Sequence, residues 1–179
     1  MLELALAARR VLLIHGVIVT LSGIPLLYLG DEIATLNDPS YLEDPEKVGD
    51  TRWLHRPVFD WGRAEERQDP ETVPGRVYHG LLRLLHIRTH NIAFQGGETQ
   101  FADTGNPRVL GFLRAREAET VFVLANFGEE EERVEARRLR QMGMRKTVVD
   151  LYSGRTITAT KELILDPYQF LVLRRVSSG

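Results

Sequence analysis

The sequence contains no cysteine. That excludes a disulfide framework, a thiol nucleophile and a thiolate-bound metal, and it leaves the redox compartment unspecified. Lysine is scarce: three lysines accompany twenty arginines, and together they are outweighed by 25 carboxylates, for a net charge of −2. A net basic footprint for nucleic acid is therefore missing. With 15 Gly, 8 Pro and 43% hydrophobic residues in 179 positions, the composition is neither disordered nor collagen-like, and the length suits one or two domains. Long apolar runs are also rare. The one candidate, Val11 to Leu29, follows Arg9-Arg10 but holds His15, is broken by Gly23-Ile24-Pro25 and runs into Asp31-Glu32. With no cleavage site and no stop-transfer cluster, it fits a buried helix followed by a buried strand better than a signal peptide or membrane span. No P-loop, no G-x-G-x-x-G after a strand and no G-x-S-x-G is present.

What remains is organised in two halves. Residues 2–21 have helical spacing, with Leu6, Arg9, Arg10, Leu13 and Val17 along the turns and a nearly all-apolar later part. Ser22-Gly23 stops that helix, and Ile24 to Leu29 reads as a short strand buried on both faces, as in a parallel sheet. Residues 30–74 show no period and form a loop far longer than an ordinary connection, ordered by Trp53, Phe59 and Trp61. Such a loop at the carboxyl end of a buried strand is where α/β barrels and doubly wound sheets place active sites. A second helix is expected over Gly75 to Asn91. Beyond it the pattern becomes short β-prone runs, Val109–Leu113, Thr120–Ala125, Thr147–Leu151, Ile157–Thr160, Leu163–Leu165 and Phe170–Leu173, separated by turn residues. They predict an antiparallel β-sandwich over 94–179, after an α/β segment over 1–93. A single helix–strand–helix piece cannot close a parallel sheet, so the N-terminal half reads as the tail of a larger α/β domain.

Few side chains offer chemistry. His86 and His90 have the spacing of a helical zinc pair, but the Glu of H-E-x-x-H is absent and they read as surface histidines. His15 reads as a hydrogen-bonded core histidine. Asp31 and Glu32 are adjacent carboxylates that an extended backbone would point to opposite faces, so they suit loop capping or an arginine pair better than joint attack on one bond. Arg137, Arg138 and Arg140 read as a solvated face, and Glu129 to Glu132 as a solvated turn. The strands show no exposed aromatic platform. The densest polar and aromatic stretch is Asp50 to Pro57, in which Arg52 can bind a carboxylate bidentately and wall a polar pocket, or simply form a loop salt bridge.

Several stretches together resemble the C-terminal portion of amylosucrases, in the sucrose-active branch of the alpha-amylase superfamily. They are Gly23-Ile24-Pro25-Leu26-Leu27-Tyr28-Leu29-Gly30-Asp31-Glu32, Ala34-Thr35-Leu36-Asn37-Asp38, Thr51-Arg52-Trp53-Leu54-His55-Arg56-Pro57 and Arg67-Gln68-Asp69-Pro70. Asn126-Phe127 and Asp166-Pro167-Tyr168-Gln169 are compatible with it. The resemblance implies the last part of a (β/α)8 barrel, with 2–21 as its seventh helix, 24–29 as its eighth strand and 75–91 as its eighth helix, followed by the β-sandwich. It implies an enzyme that splits sucrose, holds the glucosyl unit on a carboxylate and passes it to an α-glucan, with water competing. Its catalytic carboxylates would lie on earlier barrel strands, so no catalytic residue, cofactor or metal ligand is expected in this chain, and the chain alone is expected to be inert. Arg52 would line the floor of the glucosyl pocket, paired with an aspartate from an early barrel loop. Expected partners are sucrose, the glucan and the preceding barrel segment, with no nucleic acid or membrane and with self-association of the isolated piece. Two other readings stay open: a stand-alone carbohydrate-binding or structural β-sandwich module, and the tail of a sucrose hydrolase or related sucrose- or trehalose-active enzyme. The compartment is left open, with the cytoplasm favoured over secretion.

Overall fold

A computed structural model describes residues 2–144 and 147–176. The chain divides into two compact units, one comprising the residues up to Leu26 together with Gly80 onward, the other Leu27–His79.

The first unit opens with helix α1, Leu2–Thr20. Alanine, leucine and arginine favour this helix, and it buries Ala8, Leu13 and Val19. Its last turn folds in on itself, with the Thr20 hydroxyl donating to the Gly16 carbonyl at 2.6 Å. Gly16 itself faces the Phe170 ring so closely that a Cβ there would lie 2.8 Å from ring carbons. Within α1 the buried His15 ring bonds the Val11 carbonyl at 2.9 Å, as a core histidine should.

The same unit holds the β domain. Its strands are β1 (Thr99–Ala102), β2 (Val109–Arg116), β3 (Glu119–Asn126), β4 (Glu132–Val134), β5 (Thr147–Asp150), β6 (Thr156–Thr158), β7 (Leu163–Leu165) and β8 (Phe170–Arg175). Six form one sheet in the order β1-β2-β3-β8-β5-β6, and β4 pairs with β7 in a second. Every pairing is antiparallel. Alternation along the strands sends Phe122, Leu124, Val148, Leu171 and Leu173 to one face of the large sheet. There they pack with Val134, Leu163 and Leu165 of the small sheet and with Leu139, Met142 and Met144. Asp150 is buried at the end of β5, accepting from the backbone N–H groups of Tyr152, Ser153 and Val172 at 3.0–3.2 Å. The predicted sandwich is therefore present as an antiparallel β domain.

Three expectations change. Ile24 to Leu29 is extended but pairs with no strand among the described residues, and Ile24, Leu26 and Leu29 are 96%, 77% and 71% exposed. A strand exists only by hydrogen bonding to a neighbour, and none of the eight strands pairs with this run. The glutamate run is not wholly a solvated turn. Glu132 begins β4, with its side chain only 12% exposed and held by Arg108 at 2.9 Å and Asn106 at 2.7 Å. Nor are the clustered arginines all solvated: they lie in or beside a short helix, α4 (Ala136–Gln141 in chain order after the two helices below), where Arg138 bonds Asp103 at 2.7 Å.

The second unit, Leu27–His79, is mostly loop, with helix α2 at Trp61–Glu65 and the start of helix α3, Val73–His90. Aspartates order it. Asp38, Asp44, Asp50 and Asp69 each accept from the N–H two residues on, and Asp60 from that of Arg63, all at 2.9–3.0 Å. Each bond replaces a missing secondary-structure partner at a turn. Arg63 ties α2 back by donating to the carbonyls of Ile33 and Ala34 at 2.9 and 3.0 Å. Thr72 caps α3, its hydroxyl oxygen accepting from Gly75 N–H at 3.0 Å with Pro74 in the first turn.

Candidate functional site

The 27–79 unit contains an open cleft of about 410 Å³. Its walls come from three separate stretches of sequence. The first is a tight turn at Gly30, whose φ of 99° suits glycine and whose N–H donates to Glu32 Oε2 at 2.7 Å. That turn presents Tyr28, Leu29 and Asp31 to the cleft. The second supplies Thr35, Leu36 and Asn37, and the third supplies Arg52, His55, Arg56 and Pro57 from the short 3-10 turn Thr51–His55.

Arg52 lies in this lining. Its guanidinium is engaged within the loop: Nε donates to Asp50 Oδ1 at 2.8 Å and Nη2 to Oδ2 at 2.7 Å, with the Arg52 side chain 71% exposed. Asp50 also accepts the Arg52 backbone N–H at 3.0 Å. These bonds hold the Asp50 carboxyl down to about 2 and raise the guanidinium's pKa in return. The loop salt bridge foreseen as a competing role for Arg52 is thus present, with Arg52 in the cleft lining and Asp50 outside it.

Asp31 and Glu32 do not converge on one point of chemistry. Glu32 closes the Gly30 turn, and Asp31 Oδ2 accepts the Tyr28 N–H at 3.4 Å, so both serve the loop. Asp31 is the one carboxylate in the cleft lining. Retaining glycoside chemistry needs two carboxyl groups about 5 Å apart, and the lining does not provide them. His86 and His90 lie on the exposed face of α3 with rings stacked at 3.9 Å. No group of three His, Cys, Asp or Glu among the described residues could hold a metal ion, and no helix there is long and apolar enough to cross a membrane.

Sequence reading missed two cleft features. Asn37 Oδ1 and His55 Nδ1 are paired at 2.9 Å, and Arg56 adds a second guanidinium. Both pair members lie inside the motif blocks quoted above, so their shared wall was foreshadowed by those blocks. The lining sets the guanidinium, imidazole and amide groups of Arg52, Arg56, His55 and Asn37 beside Tyr28, Leu29, Leu36 and Pro57, so the open cleft offers a ligand both hydrogen-bonding partners and apolar surface.

Residues 99–172 match the family model for the maltogenic amylase C-terminal domain. In this match, and as an antiparallel β domain, the stretch is similar to the C-terminal domain of alpha-amylase-family enzymes. A glucosylglycerate phosphorylase of Spirochaeta thermophila is 30% identical over 108 residues, 60% of this chain and 18% of that protein. Alpha-amylase 3 of Dictyoglomus thermophilum is 24% identical over 172 residues, 91% of this chain and 34% of that one. Among solved structures, AmyP in complex with maltose superposes with a TM-score of 0.74 at 16% identity, covering 96% of this chain and 36% of that one. The chain thus spans about a fifth to a third of the length of these alpha-amylase-family relatives.

Proposed function

We propose that this chain forms the C-terminal part of an amylosucrase-like retaining transglucosidase, with residues 1–93 completing a (β/α)8 barrel and 94–179 forming its β domain. The observation that carries the reading is the convergence of three motif blocks on one cleft. Gly30 and Asp31, Thr35 to Asn37, and Arg52 to Pro57 are separate in sequence and line the same space. The exposed apolar run Ile24 to Leu29 supports it further, because that run suits a strand covered on both faces by a barrel.

In this reading sucrose enters the cleft, a carboxylate supplied by the preceding barrel segment attacks the glucosyl carbon, and a second carboxylic acid of that segment protonates the departing fructose oxygen. The glucosyl unit then passes to the end of an α-glucan. Arg52 forms the floor, its guanidinium offering bidentate bonds to the ring's distal hydroxyls, and it exchanges Asp50 for an aspartate of the barrel segment as the pocket closes. His55, Asn37 and Arg56 complete the polar wall. None of this chain's residues transfers a proton or attacks the sugar.

Fructose release from sucrose tests the proposal. The purified chain should release none, and the chain fused behind an amylosucrase barrel segment should release fructose in an Arg52-dependent way. Fructose release by the chain alone, abolished by a point substitution within it, overturns the proposal, as does a folded fusion with no activity. Elongated glucan among the products separates transfer from hydrolysis, and release that requires inorganic phosphate would favour a phosphorylase instead.

A further inference from the structure

Two walls of the cleft are stitched together at neighbouring residues. The Asp38 N–H donates to the Leu54 carbonyl at 2.9 Å. The adjacent side chains repeat the link, with His55 Nδ1 2.9 Å from Asn37 Oδ1. Each partner stands beside a capped turn. The 3-10 turn Pro39–Glu43 is capped by the Asp38 carboxylate, which accepts from the Ser40 N–H at 2.9 Å. His55 ends the turn Thr51–His55, capped by Asp50 accepting from the Arg52 N–H at 3.0 Å. The backbone bond holds both residues where the side-chain bond forms, so the imidazole is oriented before any ligand arrives.

An amide oxygen can only accept, so the hydrogen of this bond lies on Nδ1. In a neutral ring Nε2 then carries the lone pair, which is the less common tautomer of free histidine. The ring makes no other hydrogen bond among the described residues. The rest of these two walls is rich in donors. The guanidiniums of Arg52 and Arg56 only donate, the Asn37 oxygen is engaged by His55, and the Thr35 hydroxyl oxygen is shut away from solvent without a partner. A hydroxyl that takes a guanidinium N–H still needs a place for its own hydrogen. The Nε2 of His55, beside Arg56 in the chain, offers that place.

We infer that His55 is a specificity-determining residue of the cleft: held by Asn37 with its hydrogen on Nδ1, it accepts a hydrogen bond at Nε2 from a hydroxyl of the bound sugar. That the sugar is the glucosyl ring of sucrose rests on the transglucosidase reading above, whereas the tautomer does not. Asn37 acts through His55 and is a positioning residue. Neither takes or gives a proton in the reaction. Such an acceptor discriminates through what is left unpaired: a ring lacking the hydroxyl strands Nε2, and a side chain lacking the acceptor strands the hydroxyl.

Two measurements test this, both at about pH 8, above the ordinary imidazole range. Nitrogen-15 NMR of the intact chain reads the tautomer. The expected result is His55 protonated on Nδ1 and bare on Nε2, a state that Asn37→Asp keeps and Asn37→Ala loses. A ring that carries its hydrogen on Nε2 in the parent overturns the inference. In the chain fused behind an amylosucrase barrel segment, His55→Phe should raise KM for sucrose about tenfold or more while kcat changes less than about twofold. His55→Gln, whose amide oxygen can accept, should restore most of the loss. Among sucrose analogues each lacking one glucosyl hydroxyl, one should bind the parent and His55→Phe fusions equally well, because the variant has already lost that bond. An active, Arg52-dependent fusion in which His55→Phe leaves KM unchanged, or in which no analogue escapes the penalty, overturns this inference alone. A folded fusion without activity overturns the transglucosidase reading and this inference with it.

Discussion

Arg88 and Arg114 grip the same turn of one helix from two other elements. Arg88, on α3, donates to the carbonyls of Val19, Leu21 and Gly23, the last two at 3.0 and 2.5 Å. Arg114, on β2 and only 1% exposed, donates to the Thr20 carbonyl at 2.9 Å and to that of Gly96 at 2.5 Å. Helix α1 has no basic residue in its own last turn, so its unpaired carbonyls and the negative end of its dipole are met from outside. Burial lowers the pKa of both guanidiniums, and for Arg114 the charge of Arg88 adds to the effect. The pair fixes where the chain leaves α1 and hence where the Ile24 to Leu29 run begins.

Removing either arginine should cost stability, and the costs should not add. Arg114→Met leaves the Thr20 and Gly96 carbonyls without a donor in a buried place, and a loss of roughly 2–3 kcal/mol is expected. Arg88→Met should cost somewhat less, since it is partly exposed. Because they serve one turn, the double variant should depart from the sum of the singles by about 0.5 kcal/mol or more. Urea unfolding followed by circular dichroism measures all three, and strict additivity would show that the two arginines act independently.

Gly16 is expected to tolerate no side chain. A Cβ there would meet the Phe170 ring at 2.8 Å, and the ring is buried against the helix. Alanine normally stabilises a helix by about 1 kcal/mol relative to glycine, but here overpacking should reverse the sign and cost about 1–3 kcal/mol. A higher melting temperature for Gly16→Ala would contradict the packing described.

Acid should loosen the 27–79 unit late. The Asp50 carboxyl is held at about 2 by Arg52, below the usual carboxylate range. A depressed carboxylate contributes its stabilisation fully above its unfolded value near 4, and loses it as the pH falls through about 2. The titration of the Asp50 carboxyl carbon by NMR should therefore have its midpoint near 2 in the parent and near the ordinary value in Arg52→Ala. A midpoint near 4 in both proteins would mean that the ion pair does not persist in solution.

Much of the β domain was legible because its strands are apolar, short and punctuated by turns. Runs around Val109, Thr120, Thr147, Ile157, Leu163 and Phe170 all became strands. What escaped was decided by partners distant in sequence. β1, Thr99–Ala102, is an edge strand with no alternating pattern, so Phe101 was not recognised as an exposed aromatic. The start of β4 reads as a glutamate turn until Arg108 and Asn106 are brought to Glu132. Arg52 stands in a polar and aromatic block that the sequence singles out, whereas the bidentate geometry of its ion pair with Asp50 depends on local loop structure that no periodicity announces. The Ile24 to Leu29 run shows the converse. Its apolar sequence predicts a buried strand, but sequence alone does not provide the neighbouring strands that make one.

That run offers the most direct test of the account. Amide hydrogen exchange should find Leu26, Leu27 and Leu29 exchanging at nearly unhindered rates in the chain by itself, because no strand among the described residues pairs with them. In the fusion with a barrel segment the same amides should become protected, as members of a parallel sheet. Protection already present in the chain alone, or exposure that persists in an active fusion, would contradict the claim that these residues form a barrel strand.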